Sequence, residues 1–197
     1  MFSERYSQAI ALFDDANAQD PNKEIVDGQS EPKELIYGLR MTECLQTFLP
    51  DASEILSLAV RCQHIRRWDI PRDTYPRDRT GYLRWRTELR KYHAQVAGEI
   101  MRSVGYDDAS ISQVQSILRK ENLRTNPETQ ALEDVICLVF LRFYFDDFAA
   151  QHAHEPDKVI DIVRKTWGKM SDAGHAAALA LPFSPEALAL IQKALSD

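Results

Sequence analysis

"TNPETQALEDVICLVFLRFYFDDF" runs from Thr125 to Phe148 and carries the most apolar helix signal in the chain. Asn126 can cap a helix, Pro127 suits its first position, and Glu128 places a carboxylate in the first turn. Beyond that start, apolar residues cover nearly every side. This pattern predicts a central helix buried all round.

Helical periodicity continues in both directions from this segment. Residues 5–18 repeat Ala9, Ile10, Phe13 and Ala16, and end before Asp20-Pro21. Residues 34–48 repeat Leu35, Leu39, Thr42 and Leu45, with Leu49 and then Pro50 beyond. Asp51 or Ser53 can cap a helix reaching to about Trp68. Pro71 and Pro76 make 69–80 an irregular loop. Further helices are expected over 81–104, 110–122, 156–171 and 185–195. Asp27-Gly28 and Pro32 mark a loop, and strand alternation is nearly absent. The expected fold is all-α: one domain over 1–197, about eight helices around a central apolar helix, with 156–197 as accessory C-terminal helices.

The 197 residues, 44% of them apolar and 27% charged, are enough for one packed core. The sequence has no bilayer-length apolar run, and Glu4, Asp14 and Asp15 make the opening unlike a signal peptide. Three widely spaced cysteines, Cys44, Cys62 and Cys137, argue against a disulfide framework and read as buried thiols of a cytoplasmic protein. The Ala- and Leu-rich C-terminus can pack internally or serve a homo-oligomer.

Charge is unevenly placed. From Arg61 to Lys91 nine arginines and one lysine accompany four carboxylates, a local +6. The remainder must carry −12 to reach the overall −6. A general nucleic-acid binder would be basic more broadly, so RNA is not the favoured partner. One basic segment suits a local anion site, since arginine forks hold phosphate or carboxylate. Arg66, Arg67, Arg72, Arg77, Arg79, Arg84 and Arg86 are its candidate contacts, with Tyr75, Tyr82 or Trp85 stacking a base or sugar.

A histidine bounds this segment at each end. His93 lies on the stripe Leu89, Val96, Ile100 and Val104, where a core histidine would donate to a carbonyl. His64 follows Val60 and Arg61 near an expected helix end. Asp134 sits on the apolar line Ala131, Leu138 and Leu141, and a buried carboxylate requires a cation, a metal or several donors. His64, His93 and Asp134, from three helices, form a candidate set for a divalent metal such as Mn, Fe, Zn or Mg. Glu133 points about 100° away from Asp134 and is the candidate proton acceptor.

The order of "LAVRCQHIRRW", "ELRKYHAQVAGEIM" and "NPETQALEDVICLVF" resembles the HD-domain metal phosphohydrolases. That resemblance implies metal at His64, His93 and Asp134, and hydrolysis of a phosphorylated small molecule or nucleotide. The sequence departs from the family at the histidine–aspartate doublet, which here reads His93-Ala94. Lys120 falls where a further histidine often stands and could meet a phosphate. "ELIYGLRMTECL", the arginine-rich motif and "ETQALEDVICLVFL" resemble, over nearly the whole chain, the family known as DUF4202. The alternative to hydrolysis is a non-catalytic module that binds a nucleotide or phosphate.

Overall fold

The computed structural model describes residues 2–196. Among these are ten α-helices and one antiparallel strand pair. In chain order they are α1 (Glu4–Ala18), β1 (Lys23–Val26), β2 (Gln29–Pro32), α2 (Lys33–Phe48), α3 (Glu54–Arg61), α4 (Arg79–Ser103), α5 (Asp108–Arg119), α6 (Pro127–Phe143), α7 (Phe145–Gln151), α8 (Pro156–Trp167), α9 (Asp172–Leu179) and α10 (Pro185–Leu195). The all-α class expected from periodicity holds. Two compact units divide the chain, one through Thr129 and one from Gln130.

In the first unit, Phe13, Met41, Leu56, Leu58, Ile65, Met101, Ile111 and Ile117 form the fully buried core. α4 packs along α5, and Gly98 permits the close approach: a Cβ there would stand 2.3 Å from Gln115 Nε2. Gln115 in turn donates to the Ala94 carbonyl at 3.0 Å. Ser53 caps α3 and Asp78 caps α4, each accepting a backbone N–H of the first turn.

The structure differs from the sequence reading in three places that bear on function. α3 stops at Arg61, not near Trp68, so His64 lies in the turns that follow. Arg66 there adopts the left-handed conformation, φ 51° and ψ 39°. A hairpin stands where a loop was expected, with Val26 opposite Gln29 across Asp27-Gly28. Both turn residues have positive φ, 50° and 80°, as a two-residue hairpin turn of the mirror type requires. The flanking "KEIV" and "QSEP" lack apolar alternation, which hid the pair. Finally, α2 buries Glu34, Gly38, Met41, Cys44 and Leu45, whereas Leu39 and Leu49 are exposed.

In the second unit, Leu132, Val135 and Val139 of α6 are fully buried. The helix expected to reach Phe148 breaks at Tyr144 (φ −127°, ψ −13°) and resumes as α7. Phe140 meets Phe145 and Phe148 edge-on across that break. α9 carries His175, which stacks on Trp167 at 4.2 Å. Cys44, Cys62 and Cys137 are buried free thiols. No helix among the described residues is long and apolar enough to cross a membrane.

Candidate functional site: a histidine–arginine cavity beside a tryptophan-lined cleft

Asn17 and Asp20, both buried at the end of α1, build the frame of the site. Asp20 Oδ2 accepts the Glu34 N–H at 2.9 Å, and Asn17 Nδ2 donates to the Glu34 carbonyl at 3.4 Å. Asn17 Oδ1 also accepts the N–H of left-handed Arg66 at 3.0 Å. One asparagine therefore spaces the start of α2 from the turns that carry His64.

The His64 Nδ1 and Glu34 Oε2 are 3.1 Å apart. The imidazole stacks on Tyr37 at 4.1 Å between centroids. Burial holds its pKa well below the usual histidine range, and nearby Arg67, Arg86, Lys120 and Lys33 depress it further. A neutral ring donates Nδ1–H to the carboxylate. Burial raises the Glu34 carboxyl pKa, against the opposing pull of Arg67 and Lys33.

The His93 ring centroid lies 5.9 Å from that of His64. His93 is buried, and its Nδ1 lies 2.7 Å from the Ile65 carbonyl. A carbonyl only accepts, so Nδ1 carries the proton. Burial, followed by the neighbouring His64, pushes the His93 pKa down to about 3. The ring is therefore neutral near pH 7, and its Nε2 is a lone pair. That Nε2 has no hydrogen-bond partner, and neither has the buried Oε1 of Gln63.

These residues line a cavity together with Arg67, Arg86, Leu89 and Arg90. Three guanidinium groups thus face it, and no carboxylate is among its lining residues. Its interior is about 10 Å³, room for one water-sized atom. Arg67 also lines a cleft of about 700 Å³ with Lys23, Lys33, Glu34, Trp68, Arg72 and Trp85. Trp85 donates Nε1–H to the Ile70 carbonyl at 2.8 Å and carries the Arg67 guanidinium over its ring at 5.1 Å.

Of the residues named from sequence, His64, His93, Arg67, Arg86, Arg72 and Trp85 line these two spaces. Arg66, Tyr75, Arg77, Arg79, Tyr82 and Arg84 line neither. Arg66 pairs with Asp69 at 2.9 Å, and Arg77, Arg79 and Arg84 are exposed. Lys120 contributes charge at His64 without lining the cavity. Sequence reasoning missed Glu34, Gln63 and Arg90. The signal for Glu34 was a carboxylate in register with Gly38, Met41 and Leu45 on the buried face of α2.

Asp134 belongs to the second unit, and donors already occupy it. Its Oδ1 accepts the Ser171 N–H at 2.7 Å and Gln130 Nε2 at 3.2 Å, and its Oδ2 accepts the Ser171 hydroxyl at 2.6 Å. Ser171 caps α9, so this carboxylate secures a helix start. Glu133 beside it is buried as well. Among the described residues no group of three His, Cys, Asp or Glu side chains is arranged to hold a metal ion. Of the expected set, His64 meets Glu34 and His93 the Ile65 carbonyl, while Asp134 meets Ser171 and Gln130. A buried carboxylate can be satisfied by hydroxyl and backbone donors, and the two imidazoles face guanidinium cations.

The chain is thus a helical protein with an arginine-walled histidine cavity. It belongs to the family described as domain of unknown function DUF4202, which matches residues 7–191. No curated protein and no solved structure matches it. The likeness to HD-domain hydrolases rests on sequence order alone.

Proposed function

We propose that this protein binds a phosphorylated small molecule, with its phosphate at the histidine–arginine cavity and its organic part in the tryptophan cleft. A nucleotide is the ligand class that suits both halves. The observation that carries this reading is the cavity wall: Arg67, Arg86 and Arg90 with no carboxylate among the lining residues. Arg86 is half-buried and has no ion-pair partner among the described residues. Arg67 has Glu34 at 3.8 Å on one side, and three guanidinium groups gathered beside two neutral imidazoles favour an anion, since guanidinium forks match phosphate oxygens. Trp68, half-buried in the adjoining cleft, supplies a ring face for a base.

The chemistry of these groups supports binding ahead of turnover. His93 is too weak a base near neutral pH to drive proton removal efficiently. Titration calorimetry with a nucleoside monophosphate and with inorganic phosphate tests the reading. Arg86→Ala should weaken both by roughly 10-fold, one charge-assisted contact. Absence of binding by both would overturn it. Release of phosphate on adding Mn²⁺ or Mg²⁺ would instead favour metal-dependent hydrolysis.

A further inference from the structure

Two polar atoms of the cavity are acceptors in need of a donor. His93 is 3% exposed and Gln63 7% exposed, yet His93 Nε2 and Gln63 Oε1 lack partners. The Ile65 carbonyl fixes the His93 proton on Nδ1, so Nε2 can only accept. A buried acceptor left unpaired is unfavourable, so a hydrogen-bearing group is favoured there. The space of about 10 Å³ holds one oxygen atom, and Arg67, Arg86 and Arg90 are among the residues that line it.

We infer that the cavity selects an oxyanion that keeps a proton: inorganic phosphate, or a phosphate monoester in its singly protonated form. The P–OH enters the one-atom space and donates its single proton to one of the two acceptors, His93 Nε2 or Gln63 Oε1. The remaining oxygens accept from Arg67, Arg86 and Arg90. Sulfate and phosphodiesters carry no such proton near neutral pH. They would leave both acceptors unpaired and bring an oxygen lone pair against them. This inference rests on the anion-binding reading above and narrows its ligand class.

Calorimetry at about pH 5.5 and constant ionic strength compares inorganic phosphate, methyl phosphate, dimethyl phosphate and sulfate. A monoester is largely protonated there, its second pKa being about 6. Methyl and dimethyl phosphate then carry equal charge, so they differ in the proton. Inorganic phosphate and methyl phosphate should bind at least ~10-fold tighter than dimethyl phosphate and sulfate. Gln63→Met, checked for folding by its melting transition, should reduce that ratio while the anions still bind. Equal binding of all four overturns the inference and leaves the anion site standing. Discrimination unchanged in Gln63→Met and in His93→Phe overturns the assignment to these residues. Failure of all four to bind overturns the underlying reading itself.

Discussion

His93 donates its Nδ1 proton to the carbonyl of Ile65 at 2.7 Å, which locks one tautomer of a buried imidazole. The native state holds this ring neutral down to about pH 3, whereas the unfolded chain protonates it near 6.5. The folded pKa lies below the unfolded one. Its contribution to stability is therefore complete above 6.5 and is lost as pH falls towards 3. One such proton changes stability by at most about 1.4 kcal/mol per pH unit. His64 is shifted in the same direction. Urea midpoints between pH 7 and 4 should fall steeply, and His93→Phe should flatten the slope. An unchanged slope in that variant would contradict the assignment.

Arg61 holds Asp14 through two parallel bonds, Nε to Oδ1 at 2.7 Å and Nη2 to Oδ2 at 2.6 Å. Its Nη1 also reaches Thr42 at 3.0 Å, so α1, α2 and α3 meet on one guanidinium. Asp14→Asn should cost about 2–4 kcal/mol, because the arginine stays buried without its counter-charge. The value falls short of a fully buried pair because 30% of the Asp14 side chain is exposed. Denaturant unfolding of Asp14→Asn measures it.

Ser171 and Asp134 share two hydrogen bonds. Asp134→Ala should destabilise the chain by about 1–3 kcal/mol, through the orphaned Ser171 donors. Ser171→Ala should cost less, since its backbone N–H keeps the carboxylate. A double-mutant cycle should give a coupling above about 0.5 kcal/mol. Additive losses would show that the pair does not act as a unit.

Gly81 packs against the chain before α4: a Cβ there would stand 2.1 Å from the Pro76 carbonyl oxygen. Backbone cannot yield as a flexible side chain does. Gly81→Ala should therefore displace the 76–81 segment and lower stability by about 1–3 kcal/mol, read from the melting temperature.

Trp85 lies between the Ile70 carbonyl and Arg67. Trp68→Ala, in the same cleft wall, should weaken a nucleoside monophosphate several-fold while changing inorganic phosphate little, because only the former uses the cleft. Equal losses for both ligands would place the base elsewhere.

Helix class and most helix positions were legible because apolar periodicity and Asn, Ser or Asp caps recur along the chain. The structure bears out Asn126, which caps α6 by accepting the Glu128 N–H at 2.9 Å. The extent of α3 was not legible. Nothing in "LAVRCQHIRRW" announces that Arg66 turns left-handed, since the cause is Asn17, 49 residues away in sequence. The face of α2 was misread because its buried line includes Glu34 and Gly38, which a hydrophobic pattern discounts.

The histidines and arginines were legible as types, but not their allocation. The carbonyl that fixes His93 belongs to Ile65, and no local pattern encodes that contact. Asp134 was correctly expected to be buried. Its partners are a serine and a glutamine, because a nearby helix start supplies donors.

Asp20 and Asn17 grip the backbone of Glu34 directly, and Glu24 of β1 adds an ion pair to Arg40 of α2 at 2.7 Å. Beyond Glu24, the turn end of the β1–β2 ribbon can lengthen or shrink at small entropic expense. Because Lys23 forms part of the cleft wall, such changes would resize the entrance while the imidazole–carboxylate pair beneath stayed in register. Ligand scope could then drift through hairpin length alone, leaving the anion-binding floor unaltered.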